Sequence, residues 1–127
     1  MRLHFDEKFD FNNLFIFEMA NNHQGSIEHG LRIVKEMADV AIKYGIRAAV
    51  KLQFRELDTF IHPHHRENKD NKHISRFIST RLKEEEFGAL VMETKKRGLI
   101  SMCTPFDESS VDKIERLGVE VIKIGSC

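Results

Sequence analysis

Cysteine is scarce in this sequence, two in 127 residues. Two thiols cannot build the disulfide framework on which small secreted domains rely. Charge of one sign is also lacking. Lys plus Arg and Asp plus Glu stand at 20 each, so no overall basic field draws the chain to nucleic acid or to an anionic membrane. A local anion site stays open. No apolar run approaches the ~20 residues of a membrane span, and the first residues lack the pattern of a secretory signal. These absences lead to the expectation of a cytoplasmic protein with no nucleic-acid and no membrane partner. What is present is globular: 41% hydrophobic and 31% charged residues, over a length sufficient for one ordinary domain.

Residues 1–13 are polar and aromatic without a period, and read as a lead-in, with a short hairpin as one reading. Residues 14–127 read as one α/β unit. "LFIFEMA" (14–20) is expected as a buried strand, followed by the turn "NNHQGS" and a helix that Ser26 can cap. That helix carries Ile27, Leu31, Val34, Ala38 and Ala41 on one face and stops at Gly45. "RAAVKLQF" (47–54) is the second strand. The charged, histidine-rich stretch 55–80 reads as a long loop with a turn of helix near "HISRFIS". A helix from about Lys83 to Arg97 leads to a third strand, "LISMCT" (99–104). A last helix, capped by Asp107 or Ser109, leads to a fourth strand, "VEVIKI" (119–124). Three times a helix ends in glycine and runs into an apolar strand: "YGIRAAVK", "RGLISMCT", "LGVEVIKI". Apolar strands alternating with amphipathic helices predict a parallel sheet, either open and doubly wound or part of a (β/α)8 barrel.

In either fold the C-terminal strand ends face the site. Side chains alternate along a strand, which groups Leu14, Ile16 and Glu18; Ala49, Lys51 and Gln53; Ile100, Met102 and Thr104; and Val121, Lys123 and Gly125. Each set begins apolar and turns polar at its C-terminal end. Charges in such strands are costly unless paired or hydrogen-bonded. Two lysines and a glutamate converging on one mouth make an anion site with a carboxylate beside it. The plainer alternative is a structural Lys–Glu pair.

"FIFEMANNHQG", "AAVKLQF", "CTPFDESSVDKIERLGV" and "VIKIGS" together resemble the successive strand-end motifs of the sialic acid synthase family, the phosphoenolpyruvate-dependent synthases of nonulosonic acids such as N-acetylneuraminate and legionaminate. The resemblance runs from about residue 14 to the last residue. It implies a (β/α)8 TIM barrel of which this chain is the N-terminal half, about four βα units, and it implies inactivity for that half alone. It implies condensation of phosphoenolpyruvate with an N-acylated amino sugar such as N-acetylmannosamine, with release of phosphate. By the same resemblance Lys51 and Lys123 would hold phosphoenolpyruvate, and Thr104 and Ser126 would supply hydroxyl contacts. Glu18 would stand near the sugar and the reacting carbons, and Asn22, His23 and Gln53 match substrate-site motif positions. A divalent metal, Mn or Mg, is implied with ligands outside this chain, as is a homodimer for the complete protein. Cys127 stands where many members carry glycine.

Two other functions stay open: another TIM-barrel lyase or aldolase acting on a phosphorylated substrate, and a non-catalytic interaction module or fragment. An imine-forming aldolase lysine must be deprotonated, whereas Lys51 and Lys123 read as staying charged against an anion. "HPHH" (62–65) lacks carboxylate or cysteine spacing to complete a metal site and reads as solvated loop. His23 reads equally as turn chemistry or as a functional contact. Cys103 is out of phase with Thr104 and is expected to pack under a helix.

Overall fold

The structure, a computed structural model, describes residues 8–126. Four strands, β1 (Leu14–Ala20), β2 (Arg47–Phe54), β3 (Ile100–Pro105) and β4 (Val121–Ile122), form one parallel sheet in the order β1-β2-β3-β4. Among the described residues no helix is long and apolar enough to cross a membrane.

The three long helices begin and end where local chemistry dictates. Helix α1 (Ile27–Tyr44) starts at Ser26, whose Oγ accepts from the His29 amide at 3.2 Å. It stops at Gly45, which takes the left-handed φ of 60° that residues with a Cβ avoid. Three glutamates crowd the first turn of α4 (Glu84–Lys96) and two lysines its last, matching the helix dipole. Helix α5 (Glu108–Arg116) is capped by Asp107, which accepts from the Ser110 amide at 2.8 Å.

All three helices cover the same face of the sheet. Val34, Ala38 and Ala41 of α1, Phe87, Leu90 and Val91 of α4 and Ile114 of α5 share one core with Val50, Leu52, Phe54 and Cys103. Burying each large apolar side chain there contributes roughly 1.5–3 kcal/mol, and Phe54 meets Phe87 edge-on at 4.6 Å between ring centres. The opposite face carries Ala49, Met102 and Val121 with Leu14 and Ile100, and no helical residue. A sheet whose strand order never reverses and whose helices share one face has no topological switch point. Of the two expected folds it is the barrel: four successive parallel strands joined by three helical crossovers, with the helix-free face as the inside.

Four expectations need correction. Strand β1 is not buried: Phe15, Ile16 and Glu18 are exposed, because among the described residues β1 pairs with β2 alone. Strand β4 is two residues, not six. The Ser101 amide spends its hydrogen bond on the Glu120 carboxylate at 2.8 Å, so regular pairing begins only at Val121. The stretch 55–80 is not a plain loop. It holds the short helix α2 (Leu57–Phe60), a 3-10 turn (Pro63–His65) and α3 (Lys72–Ser79), an excursion that stands at the C-terminal end of β2. Residues 8–13 are coil and turn without a strand, and the rest of the lead-in lies outside the described residues.

Candidate active site

The parallel register delivers polar side chains to one rim. Glu18 is the Cα partner of Lys51, and Gln53 of Thr104. Met102 pairs with Val121, and the Lys123 amide donates to Cys103 O at 2.9 Å, prolonging the ladder beyond β4. Two residues past the Met102–Val121 pair, Thr104 and Lys123 fall on the same inner face. Glu18, Lys51, Gln53, Thr104 and Lys123 therefore share one end of the helix-free face. Ser126 is exposed in the coil that follows.

The two lysines differ in company. Lys51 Nζ makes an ion pair with Glu18 Oε2, with Lys51 16% exposed and Glu18 47%. The structural Lys–Glu pair is thus present. Lys123 has no acidic partner among the described residues. One compensated and one uncompensated cation at a strand-end mouth, with the nearly buried Thr104 beside them, can receive an oxyanion through charge-assisted hydrogen bonds.

Asn22 and His23 lie in the turn after β1 and not at a strand end, although His23 shares a small cavity with Gln53. The Asn22 side-chain amide turns back to donate to Met19 O at 2.9 Å. His23 is buried, and its Nδ1 accepts from the Gly25 amide at 3.1 Å. Burial, with His29 nearby, pushes the imidazole below its usual value, so it stays neutral. Its neutral ring with Nδ1 as acceptor carries the proton on Nε2. A bulge between Glu18 and Ala20 makes this turn, sending Met19 into the core while Glu18 keeps the inner face.

Sequence reasoning missed Arg55, two residues past Gln53 and thus in phase with it. Arg55 Nη2 donates to Gln53 Oε1 at 3.2 Å. Its guanidinium lies 3.7 Å from the centre of the Phe106 ring, 4.4 Å from that of Phe77 and 6.0 Å from that of Phe60. Arg55, Gln53, His23, Asn21, Phe77 and Thr80 line a small cavity of about 40 Å³ under the excursion. Carrying the strand alternation two residues beyond "KLQ" would have found Arg55. Also missed was the tether between the β2 and β3 ends, where the Glu56 amide donates to Asp107 Oδ2 at 2.8 Å and Lys113 pairs with Glu56.

A divalent metal does not fit the residues present. Among the described residues no three His, Cys, Asp or Glu side chains gather to hold an ion, and the rim carboxylate is already paired with a lysine. The His62 ring centre lies 5.1 Å from that of His64 and 6.0 Å from that of His65, all three exposed. Cys103 is buried in the helix-covered core, where burial pushes its thiol up to about 12.

Fold and rim together define a class: a segment of a (β/α)8 barrel with a cationic mouth at the C-terminal ends of its strands. Comparison with known proteins gives the particular family. Residues 37–127 match the NeuB family, and the chain belongs to it. A protein named as spore coat polysaccharide biosynthesis protein E of Chromobacterium violaceum has a solved structure that aligns with a TM-score of 0.87 at 48% identity, over 91% of this chain and 34% of that one. The N-acetylneuraminic acid (sialic acid) synthetase of Leptospira borgpetersenii serovar Hardjo-bovis, in complex with citrate, aligns with a TM-score of 0.70 at 25% identity, over 91% of this chain and 36% of that one. The uncharacterized protein MJ1065 of Methanocaldococcus jannaschii is 34% identical over 111 residues, which are 87% of this chain and 30% of that protein. The chain spans about a third of the length of these relatives, and its sheet matches the N-terminal part of the barrel in the two solved structures.

Proposed function

We propose that this chain supplies the phosphoenolpyruvate-binding part of a synthase that joins phosphoenolpyruvate to an N-acylated amino sugar such as N-acetylmannosamine. Carbon 3 of phosphoenolpyruvate attacks the sugar aldehyde, whose oxygen gains a proton to become a hydroxyl. Water attacks carbon 2 and gives up both protons, one in balance for the new hydroxyl and one for the phosphate; the C–O bond to phosphate breaks, phosphate leaves with that bond's electron pair, and carbon 2 becomes a ketone. The observation that carries this reading is Lys51 and Lys123 on one inner face with Thr104 between them in strand order. Phosphoenolpyruvate bears about three negative charges, and a chain of zero net charge needs local cations to hold it. Family membership and the likeness to the Leptospira synthetase support the same substrate class.

Lys51 and Lys123 bind the carboxylate and phosphate, and Thr104 and Ser126 add hydroxyl contacts. Glu18, already against Lys51, is set to hold or pass a proton near the sugar aldehyde. Lys51 Nζ is already engaged by the Glu18 carboxylate, whereas an imine-forming lysine needs its nitrogen lone pair free to attack a carbonyl, which disfavours a Schiff-base aldolase. The metal that the family resemblance implies would polarise the aldehyde when bound, and no step here is assigned to it. The test is phosphoenolpyruvate binding by calorimetry and phosphate release with N-acetylmannosamine and manganese, both on the full-length protein. Binding plus phosphate release dependent on the sugar supports the reading; no phosphoenolpyruvate binding refutes it.

A further inference from the structure

We propose that Arg55 is a positioning residue, held by the rings of Phe60, Phe77 and Phe106, that fixes the Gln53 amide so that Gln53 turns its N–H donors to a ligand oxygen at the mouth. The inference rests on the proposed function for the identity of that ligand.

The argument starts from donor and acceptor chemistry. A guanidinium has five N–H donors and no acceptor, whereas a glutamine amide has one oxygen and one NH2 group. The Gln53 atom 3.2 Å from Arg55 Nη2 must therefore be the oxygen. With Oε1 so engaged, what Gln53 can still offer is its NH2 group. Gln53 lies on the same inner face as Lys51, two residues before it, and is the Cα partner of Thr104. A donor at that place complements an acceptor oxygen: the carboxylate or phosphate of phosphoenolpyruvate, or the carbonyl of an acylated sugar.

Arg55 can fix the amide only if it is itself fixed, and three rings see to that. Phe106 follows β3, while Phe60 ends α2 and Phe77 belongs to α3. Phe60 and Phe77 meet edge to face at 6.0 Å, so the excursion's two helices close on the guanidinium together. The excursion is seated independently. Arg81 grips Asp58 through two hydrogen bonds of 3.2 and 3.0 Å, which hold the Asp58 carboxyl below its usual range. Asn21 donates to Thr80 Oγ1 at 3.2 Å. Seating of the excursion thus reaches Gln53 through Arg55. A planar guanidinium is required, since a lysine ammonium neither stacks flat nor keeps a fixed donor direction.

The test is calorimetry with phosphoenolpyruvate and, separately, inorganic phosphate on the full-length protein and its Gln53→Met, Arg55→Met and doubly substituted forms. Arg55→Met is expected to weaken binding about tenfold, as loss of one oriented hydrogen bond to a charged ligand does. Gln53→Met should cost at least as much, and the double substitution no more than Gln53→Met alone. Additive losses, or a folded Arg55→Met protein with unchanged affinity, overturn the proposal. If Arg55→Met does not fold, Arg55→Lys takes its place. There the nitrogen-15 relaxation of the Gln53 side-chain amide, measured without ligand, should pass from ordered to mobile. An amide equally ordered in wild type and Arg55→Lys overturns the proposal. That readout needs no ligand. A wild type that binds neither anion refutes the proposed function, while relaxation still decides the relation between Arg55 and Gln53.

Discussion

Glu18 and Lys51 stand opposite each other in the β1–β2 register and close an ion pair at the strand ends, Glu18 the more exposed partner at 47% and Lys51 at 16%. Lys51 stands on β2, flanked by β1 and β3, and an incoming anion would compete with Glu18 for it. An anion that takes Lys51 leaves the Glu18 carboxylate beside the bound ligand, where a second substrate would approach. The pair itself adds little stability, at most about 1 kcal/mol for a partly exposed ion pair.

From this follows the first expectation. In the full-length protein, Lys51→Ala and Lys123→Ala should each weaken phosphoenolpyruvate binding by ~2–5 kcal/mol, as loss of a desolvated charged contact does. Glu18→Gln should bind phosphoenolpyruvate as tightly as wild type, or tighter, yet lose turnover. Calorimetry at fixed salt with parallel phosphate-release assays measures both. Unchanged affinity in both lysine variants would remove the anion site.

Cys103 should be chemically silent. Its thiol is pushed up to about 12, chiefly by burial, and is fully shielded in the core. The thiolate is the reactive species, so in the full-length protein the peptide carrying Cys103 should stay unmodified by iodoacetamide at neutral pH until denaturant is added. Rapid labelling of that peptide in the folded protein would mean that the layer under α5 opens on the timescale of the reaction.

The helices and the facing of the strands were legible because short-range chemistry sets them. Ser26 and Asp107 cap as their types suggest, Gly45 ends α1, and the alternation that put Lys51, Gln53 and Thr104 on one face holds in the sheet. Cys103 packs under the helices for the same reason of phase. What the sequence hid depends on neighbours. An apolar run does not say whether a strand has one partner or two, so β1 read as buried. Glu120 looked like a strand residue, but its carboxylate takes the Ser101 amide and delays β4. His23 follows two asparagines and read equally as turn chemistry or as a functional contact, and nothing in that reading showed its burial: α1 approaches so closely at Gly30 that a Cβ there would lie 3.2 Å from His23 Cβ. Arg55 gains meaning only from Phe77 and Phe106, which are far along the chain.

His23 should make stability depend on pH. Burial lowers its folded-state value below the usual ~6.5, so between the two values the unfolded chain binds more protons than the folded one. Stability then rises with pH across that window. The neutral ring's contribution is complete above about 6.5 and falls away as acid is added down to the folded-state value. His23→Asn puts an oxygen near the place of Nδ1, keeps an acceptor for the Gly25 amide, and cannot titrate. Urea melts between pH 5 and 8 should show a shallower slope for His23→Asn than for wild type. Equal slopes would assign the pH dependence to other groups.

Gly25 ties the β1–α1 turn to the end of α3, and it leaves no room for a side chain. Its φ is 75°, and a Cβ there would lie 2.7 Å from Ser79 O, a backbone atom that cannot step aside alone. Gly25→Ala meets both penalties, a left-handed backbone and a clash with the chain, which together cost of order 1–3 kcal/mol. The cheaper escape is for the end of α3 to move off, since among the described residues one hydrogen bond, Asn21–Thr80 at 3.2 Å, joins it to the turn. Gly25→Ala should therefore loosen the excursion before it unfolds the sheet. In the full-length protein, limited proteolysis should cut faster within residues 61–71, an exposed polar stretch apart from buried Ile61 and half-buried Asn68, while the thermal midpoint drops only a few degrees. Faster cleavage spread evenly over the chain would point to global destabilisation instead. If Gly25→Ala resists protease like wild type, the turn has room that the 2.7 Å contact denies.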